Sequence, residues 1–131
     1  MIRENKLVYM PFREMLLDRG WLVTKTHGNE YQKALPDTRI AHKKYGCKWV
    51  EFKVIDRTPK GSPIVHLSRS QKDNWPLWVA HGEKIWVVAA EDFRGVRNKG
   101  IMEKWYNRVC FGEANVHLFL HYSTIKYGII P

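Results

Sequence analysis

Asp37, Glu51 and Lys53 are the residues of this sequence whose types and spacing most clearly suggest chemistry. Asp37 follows Pro36, and after thirteen further residues comes Glu51-Phe52-Lys53. Residues 38–42 and 48–55 read as two strands, rich in β-branched and aromatic types, with Lys43-Lys44-Tyr45-Gly46 between them. Gly46 can take the positive φ that a tight connection needs. If His42 opposes Gly46, five steps back along one strand and five forward along the other bring Asp37 opposite Glu51. Directly opposed side chains have Cβ atoms about 4.5–5.5 Å apart. Glu51 and Lys53 are two apart on one strand and share its face with Trp49, while Val50, Phe52 and Val54 point the other way. A one-residue slip would undo this arrangement.

Two neighbouring carboxylates repel each other and call for a positive partner. A hard cation such as Mg²⁺ suits them, bound by one or two carboxylates, waters and phosphate oxygens. A cation so placed polarises a phosphodiester and acidifies water. A lysine beside it orients the attacking water and offsets charge that builds on phosphorus. Metal-assisted phosphodiester hydrolysis is the chemistry these parts describe.

Charge and size agree with such a substrate. The chain has 131 residues and a net charge of +9, from 22 Lys and Arg against 13 Asp and Glu. That excess on one domain-sized chain favours a polyanionic partner, nucleic acid ahead of a membrane surface. Hydrophobic residues at 44% and charged residues at 27% exclude wholesale disorder. The longest apolar run, residues 85–90, is far too short to span a bilayer. No secretory leader is evident. Cys47 and Cys110 cannot build a disulfide framework, and both are expected to be small buried residues of a reduced, cytoplasmic protein.

The surrounding elements must hold the pair in place. Pro11 fits the first turn of a helix that Gly20 stops, with Phe12, Met15 and Leu16 on one face and Glu14 on the same helix. Residues 21–26 read as a strand and 27–35 as irregular. Residues 56–63, with two prolines and a glycine, read as a loop, and 65–67 as a short strand. Ser68 caps a helix to about His81, with Gly82 at its end and Pro76 kinking it or delaying its start. Residues 84–90 form a strongly apolar, central strand, and 116–122 a further strand. The order helix, three strands, helix, strand predicts an α/β (α+β) sandwich around a mixed sheet flanked by helices.

With these residues in place, the sequence resembles the PD-(D/E)XK nuclease superfamily. The similarity rests on Pro36-Asp37 with Glu51-Phe52-Lys53, on Gly20-Trp21-Leu22-Val23, His27-Gly28-Asn29 and Gln32-Lys33 before them, and on Ser68-Arg69-Ser70-Gln71 after them. The most similar members are the small stand-alone VRR-NUC-type and phage nucleases and Holliday junction resolvase-like endonucleases. The resemblance spans residues 10–92 and implies a restriction-endonuclease-like core. One nuclease domain over residues 1–131 is expected, with 93–131 an extension of unassigned role.

It also implies the site. Asp37 and Glu51 would bind Mg²⁺ or Mn²⁺ together with the backbone carbonyl of Phe52. Lys53 would be the catalytic lysine, Glu14 the helix acid acting through water, with Glu4 in reserve, and Gln71 the motif glutamine. Where relatives often carry Gly before the Pro-Asp, this chain reads Ala34-Leu35. The implied activity is a metal-dependent DNA endonuclease, structure-specific on branched or Holliday-type junctions, acting as a homodimer, with a phage or mobile-element origin and a place in the host cytoplasm. Lys25, His27, Asn29, Gln32, Lys33, Arg39, Lys43 and Lys44 are the candidate nucleic-acid contacts.

Each of these has a plainer alternative. Ser68 and Gln71 also form a capping box. Glu14 also suits the first turn of a helix as a solvated acid. A non-catalytic basic nucleic-acid-binding protein would show metal-independent binding. An RNA- or single-strand-preferring nuclease would need several exposed members of the six tryptophans.

Overall fold

A computed structural model describes residues 9–26, 34–90, 99–111, 115–120 and 124–129. Its elements are α1 (Met10–Asp18), β1 (Leu22–Lys25), β2 (Thr38–His42), β3 (Gly46–Val54), β4 (Asp56–Arg57), β5 (Pro63–Ile64), α2 (Arg69–Ala80), β6 (Ile85–Ala90), α3 (Lys99–Phe111), β7 (Asn115–Leu120) and β8 (Thr124–Ile129). Six strands make one mixed sheet in the order β1-β2-β3-β6-β7-β8. β3, β6 and β7 are parallel, and the outer pairings are antiparallel. The fold is α+β, as the sequence predicts.

Alternation along β3 sorts the molecule into layers. Val50 and Phe52 face α1 and α3 in a core with Phe12, Leu16, Trp21, Trp86, Val88, Trp105 and Val109. Phe12 and Tyr9 close on the Phe52 ring at 5.7 and 5.4 Å, and Phe12 meets Trp105 edge-on at 4.7 Å. On the opposite face, Trp75 of α2 is buried with Ile85 and Val87, and Trp49, Trp78 and Val79 pack around them. β6 is buried along its whole length, as its apolar run and central parallel position require.

Local signals explain the ends of these elements. Gly20 leaves α1 with φ +87°. Ser68 accepts from the Gln71 amide at 3.1 Å, and the Ser68 amide donates to Gln71 Oε1 at 3.0 Å, so α2 starts on a complete capping box. The helix runs on through Pro76 with no delayed start.

Several expectations need correction. Residues 56–63 are not an open loop: β4 and β5 pair across a turn in which the Thr58 amide donates to Ser62 O at 2.9 Å and Arg57 Nη1 to Gly61 O at 2.6 Å. That pairing draws the strand forward to Pro63–Ile64, and residues 65–67 lie outside any strand. Cys47 is exposed at the start of β3, while Cys110 is buried. Residues 99–111 and 115–120 lie within the stretch read as an extension of unassigned role, and they join the core and the sheet. α3 places Trp105 and Val109 in the main cluster, Arg19 of α1's C-cap forms an ion pair with Glu103, and β7 continues the parallel sheet.

One buried charge stands out. Lys48 is 6% exposed, and its Nζ donates to Tyr45 O at 3.0 Å. Burial, with Lys84 adding repulsion, holds its ammonium below the ordinary lysine range. The folded state therefore releases this proton at lower pH than the unfolded chain. Between the two values the unfolded chain holds more protons, so this group's contribution to stability rises with pH. A Lys48→Met variant is expected to lose that alkaline rise, read as the urea midpoint measured from neutral to alkaline pH. Trp105→Ala is expected to cost about 3–5 kcal/mol, as for other buried large-to-small changes. Chemical denaturation checks this, and a loss under about 1 kcal/mol would show that α3 is peripheral to the core.

Candidate metal centre

The β2–β3 register pairs Thr38 with Val50, Arg39 with Trp49 and His42 with Gly46. One further step brings Asp37 opposite Glu51, on the α2 side of the sheet. The contact is direct: the Asp37 amide donates to Glu51 Oε1 at 3.0 Å. The Phe52 amide donates to Asp37 Oδ2 at 3.3 Å, and Thr38 Oγ1 donates to Asp37 Oδ1 at 2.9 Å. Lys53 Nζ lies 3.4 Å from Glu51 Oε2, with its side chain 25% exposed. Glu51 itself is only 5% exposed. A carboxylate so far out of water needs donors and a counter-charge, and these contacts supply both.

The chain entering Asp37 is tied on two sides. The Thr26 amide donates to Asp37 O at 2.7 Å, and Thr26 Oγ1 to Pro36 O at 2.8 Å, so β1 holds one side. Trp75 Nε1 of α2 donates to Ala34 O at 2.6 Å and fixes the other. Thr38, Thr26 and Trp75 were not among the residues singled out from the sequence. Thr38 left one sign: it is a polar residue in phase with Ile40, at a position that turns out fully buried.

The donor set suits a hard cation. Both carboxylates belong to residues opposed across the hairpin and tied to its backbone amides, and the N–H and C=O of one strand residue leave on the same side. The Phe52 amide points at Asp37, so its carbonyl opens toward that side as well. Asp37, Glu51 and the Phe52 carbonyl are thus the groups that would hold Mg²⁺ or Mn²⁺, with water and phosphate oxygens completing the shell. Among the described residues no third His, Cys, Asp or Glu joins them.

The other candidates are placed less uniformly. Gln71 is buried at the start of α2, with its Oε1 engaged by the Ser68 amide. Glu14 is exposed on α1, which packs on the Phe52 side of the sheet, and it is not gathered with the pair. Arg39 shares the pair's face and lies 4.6 Å from the Trp49 ring centroid. Lys25 lies 4.4 Å from the Tyr9 ring centroid. Lys43 and Lys44 are exposed in the hairpin turn, past the strand end that lies roughly 16 Å from Asp37. Glu4, His27, Asn29, Gln32 and Lys33 lie outside the described residues.

Comparison with known proteins finds no matching family model, no matching curated protein and no matching solved structure. Among the described residues, no helix is long and apolar enough to cross a membrane.

Metal binding is testable without any substrate. Mn²⁺ at a hundred times its dissociation constant should stabilise the folded protein by about 2.7 kcal/mol. Asp37→Asn, close in shape, should lose that increment. Thermal unfolding with and without the ion reads both, and an equal response in the two proteins would count against this site.

Proposed function

We propose that this protein is a divalent-metal-dependent DNA endonuclease that hydrolyses phosphodiester bonds at Asp37, Glu51 and Lys53. The observation that carries the reading is the hydrogen bond from the Asp37 backbone amide to the Glu51 carboxylate across the hairpin, with Lys53 on the same face 3.4 Å from Glu51. The element order of residues 10–90 and the net charge of +9 support it.

Each residue then has a defined task. Asp37 and Glu51 hold the cation, and the Phe52 carbonyl supplies a neutral third oxygen. When bound, the cation stabilises charge on the scissile phosphate and acidifies water. Lys53 lies beside Glu51 with its side chain a quarter exposed, where its ammonium can orient water for in-line attack and offset developing negative charge. The Phe52 amide and Thr38 hydroxyl fix the Asp37 carboxylate. Gln71, through its cap on α2, positions the helix that anchors Ala34. Glu14 has no direct part in this scheme.

Cleavage of linear duplex, single-stranded, supercoiled and four-way-junction DNA tests the proposal, with EDTA, Mg²⁺ and Mn²⁺ as arms. Wild type is expected to cut only with a divalent ion. Asp37→Ala should abolish cutting, and Lys53→Met should slow it roughly 10²- to 10³-fold, the scale of losing one transition-state charge partner. Metal-independent binding with no cutting on any substrate would overturn the reading in favour of a basic binding protein.

A further inference from the structure

A cavity of about 460 Å³ opens on the α2 face of the sheet, lined by Leu35, Trp49, Leu77, Trp78, His81 and Glu83. Its size falls within the range of small-ligand sites. Two walls are indoles, Trp49 from β3 and Trp78 from α2, both half-buried. Its lining residues come from elements close to the pair in sequence, brought together by the packing of α2 on the sheet. Trp49 precedes Glu51 by two residues on the same face, about 7 Å along the strand, and Leu35 precedes Asp37 by two. Arg39 lies opposite Trp49, with its guanidinium 4.6 Å from the ring centroid. Trp49 Nε1 donates to Glu83 Oε2 at 3.2 Å, which fixes the indole's orientation.

We infer that this cavity takes the base of an unpaired DNA nucleotide next to the scissile phosphate. The inference rests on the nuclease reading for the position of that phosphate and adds a substrate class to it. An indole such as Trp78 offers a flat, sequence-tolerant stacking surface to a base, while the Trp49 ring carries the Arg39 guanidinium over it. The Arg39 guanidinium at the Trp49 wall presents a cation to the phosphate that carries the base. A base inside a duplex is stacked on both faces and cannot enter such a cavity without leaving the helix. The preferred substrate therefore has a nucleotide already unpaired beside the cleavage point, as at a flap, gap, junction or single strand.

The test is binding in EDTA at fixed salt, which separates it from catalysis. The probes are a labelled oligothymidylate and a strand of equal length with abasic residues. Wild type is expected to bind the thymidine strand roughly 5- to 100-fold more tightly, the effect of stacking a base or so on an aromatic ring. Trp78→Ala should erase most of that preference, and Trp78→Phe should keep much of it. If Trp78→Ala does not fold, quenching of wild-type tryptophan fluorescence by the thymidine strand but not by the abasic strand serves in its place. Equal affinity for the two strands, or a preference that survives in folded Trp78→Ala, would overturn the inference. Metal-dependent cleavage lost in Asp37→Ala would still stand in that case. A base preference without cleavage would instead sink the nuclease reading and leave the cavity as a single-strand binding site.

Discussion

The arrangement depends on satisfying a nearly buried carboxylate within a sheet. Glu51 lies on β3, between β2 and the wholly buried β6. Its tolerance there comes from the Asp37 amide on one oxygen and the Lys53 ammonium near the other. An isolated charge at that depth would cost far more than a domain's net stability. The donor to Oε1 is a backbone group, so the geometry holds only while Asp37 stays opposite Glu51. The hairpin register is therefore both the structural and the chemical constraint of the site.

Much of the fold serves to hold that register. Thr26 and Trp75 grip the strand entrance from opposite sides, through Asp37, Pro36 and Ala34 backbone carbonyls. Trp75 can do so because α2 starts at a fixed point, set by the Ser68–Gln71 cap, and buries Trp75 against Ile85 and Val87. On the other face, Phe52 is clamped by Tyr9 and Phe12 and backed by Trp105. Rotation of β3 about its own axis would break both layers at once. Close-packed cores resist such shifts because even a methylene-sized change is felt.

The hairpin was legible because its cues agree. Gly46 takes φ +78° and sets the turn, and the alternation from Trp49 to Lys53 excludes a one-residue slip, which would turn Val50 and Phe52 out of the core. α2 was legible from its cap. The role of Glu14 was less so, although a sign was there. Phe12 and Leu16, four apart, mark the buried stripe of α1, and a residue two from each lies round the far side of a 3.6-residue turn. The tail gave little to read. In α3 the helical mark is Trp105 and Val109 at a spacing of four, set among Lys104, Asn107 and Arg108. The pairing of β7 with β6 joins residues about thirty apart in sequence, which no local pattern announces. The cavity was invisible for the same reason: Leu35, Trp49 and Trp78 meet only through tertiary packing.

Under the proposed function, the division of charge on the α2 face bears on substrate choice. Asp37 and Glu51 place negative charge where a polyanion would have to approach, in a chain that is otherwise strongly basic. Lys53 and Arg39 flank that point on the same face, one on the Glu51 side and one toward Trp49. A phosphodiester entering there would be repelled at the centre and attracted on both sides, unless a cation neutralised the centre. Under the proposed function, long-range attraction by the basic surface is therefore separable from productive binding. The first depends on salt and little on sequence. The second requires the divalent ion and, if the Trp-lined cavity is used, a base free to leave its stack. A site built this way would bind duplex DNA widely and cut it selectively, with the selection made by the energy of unstacking a nucleotide rather than by reading base edges.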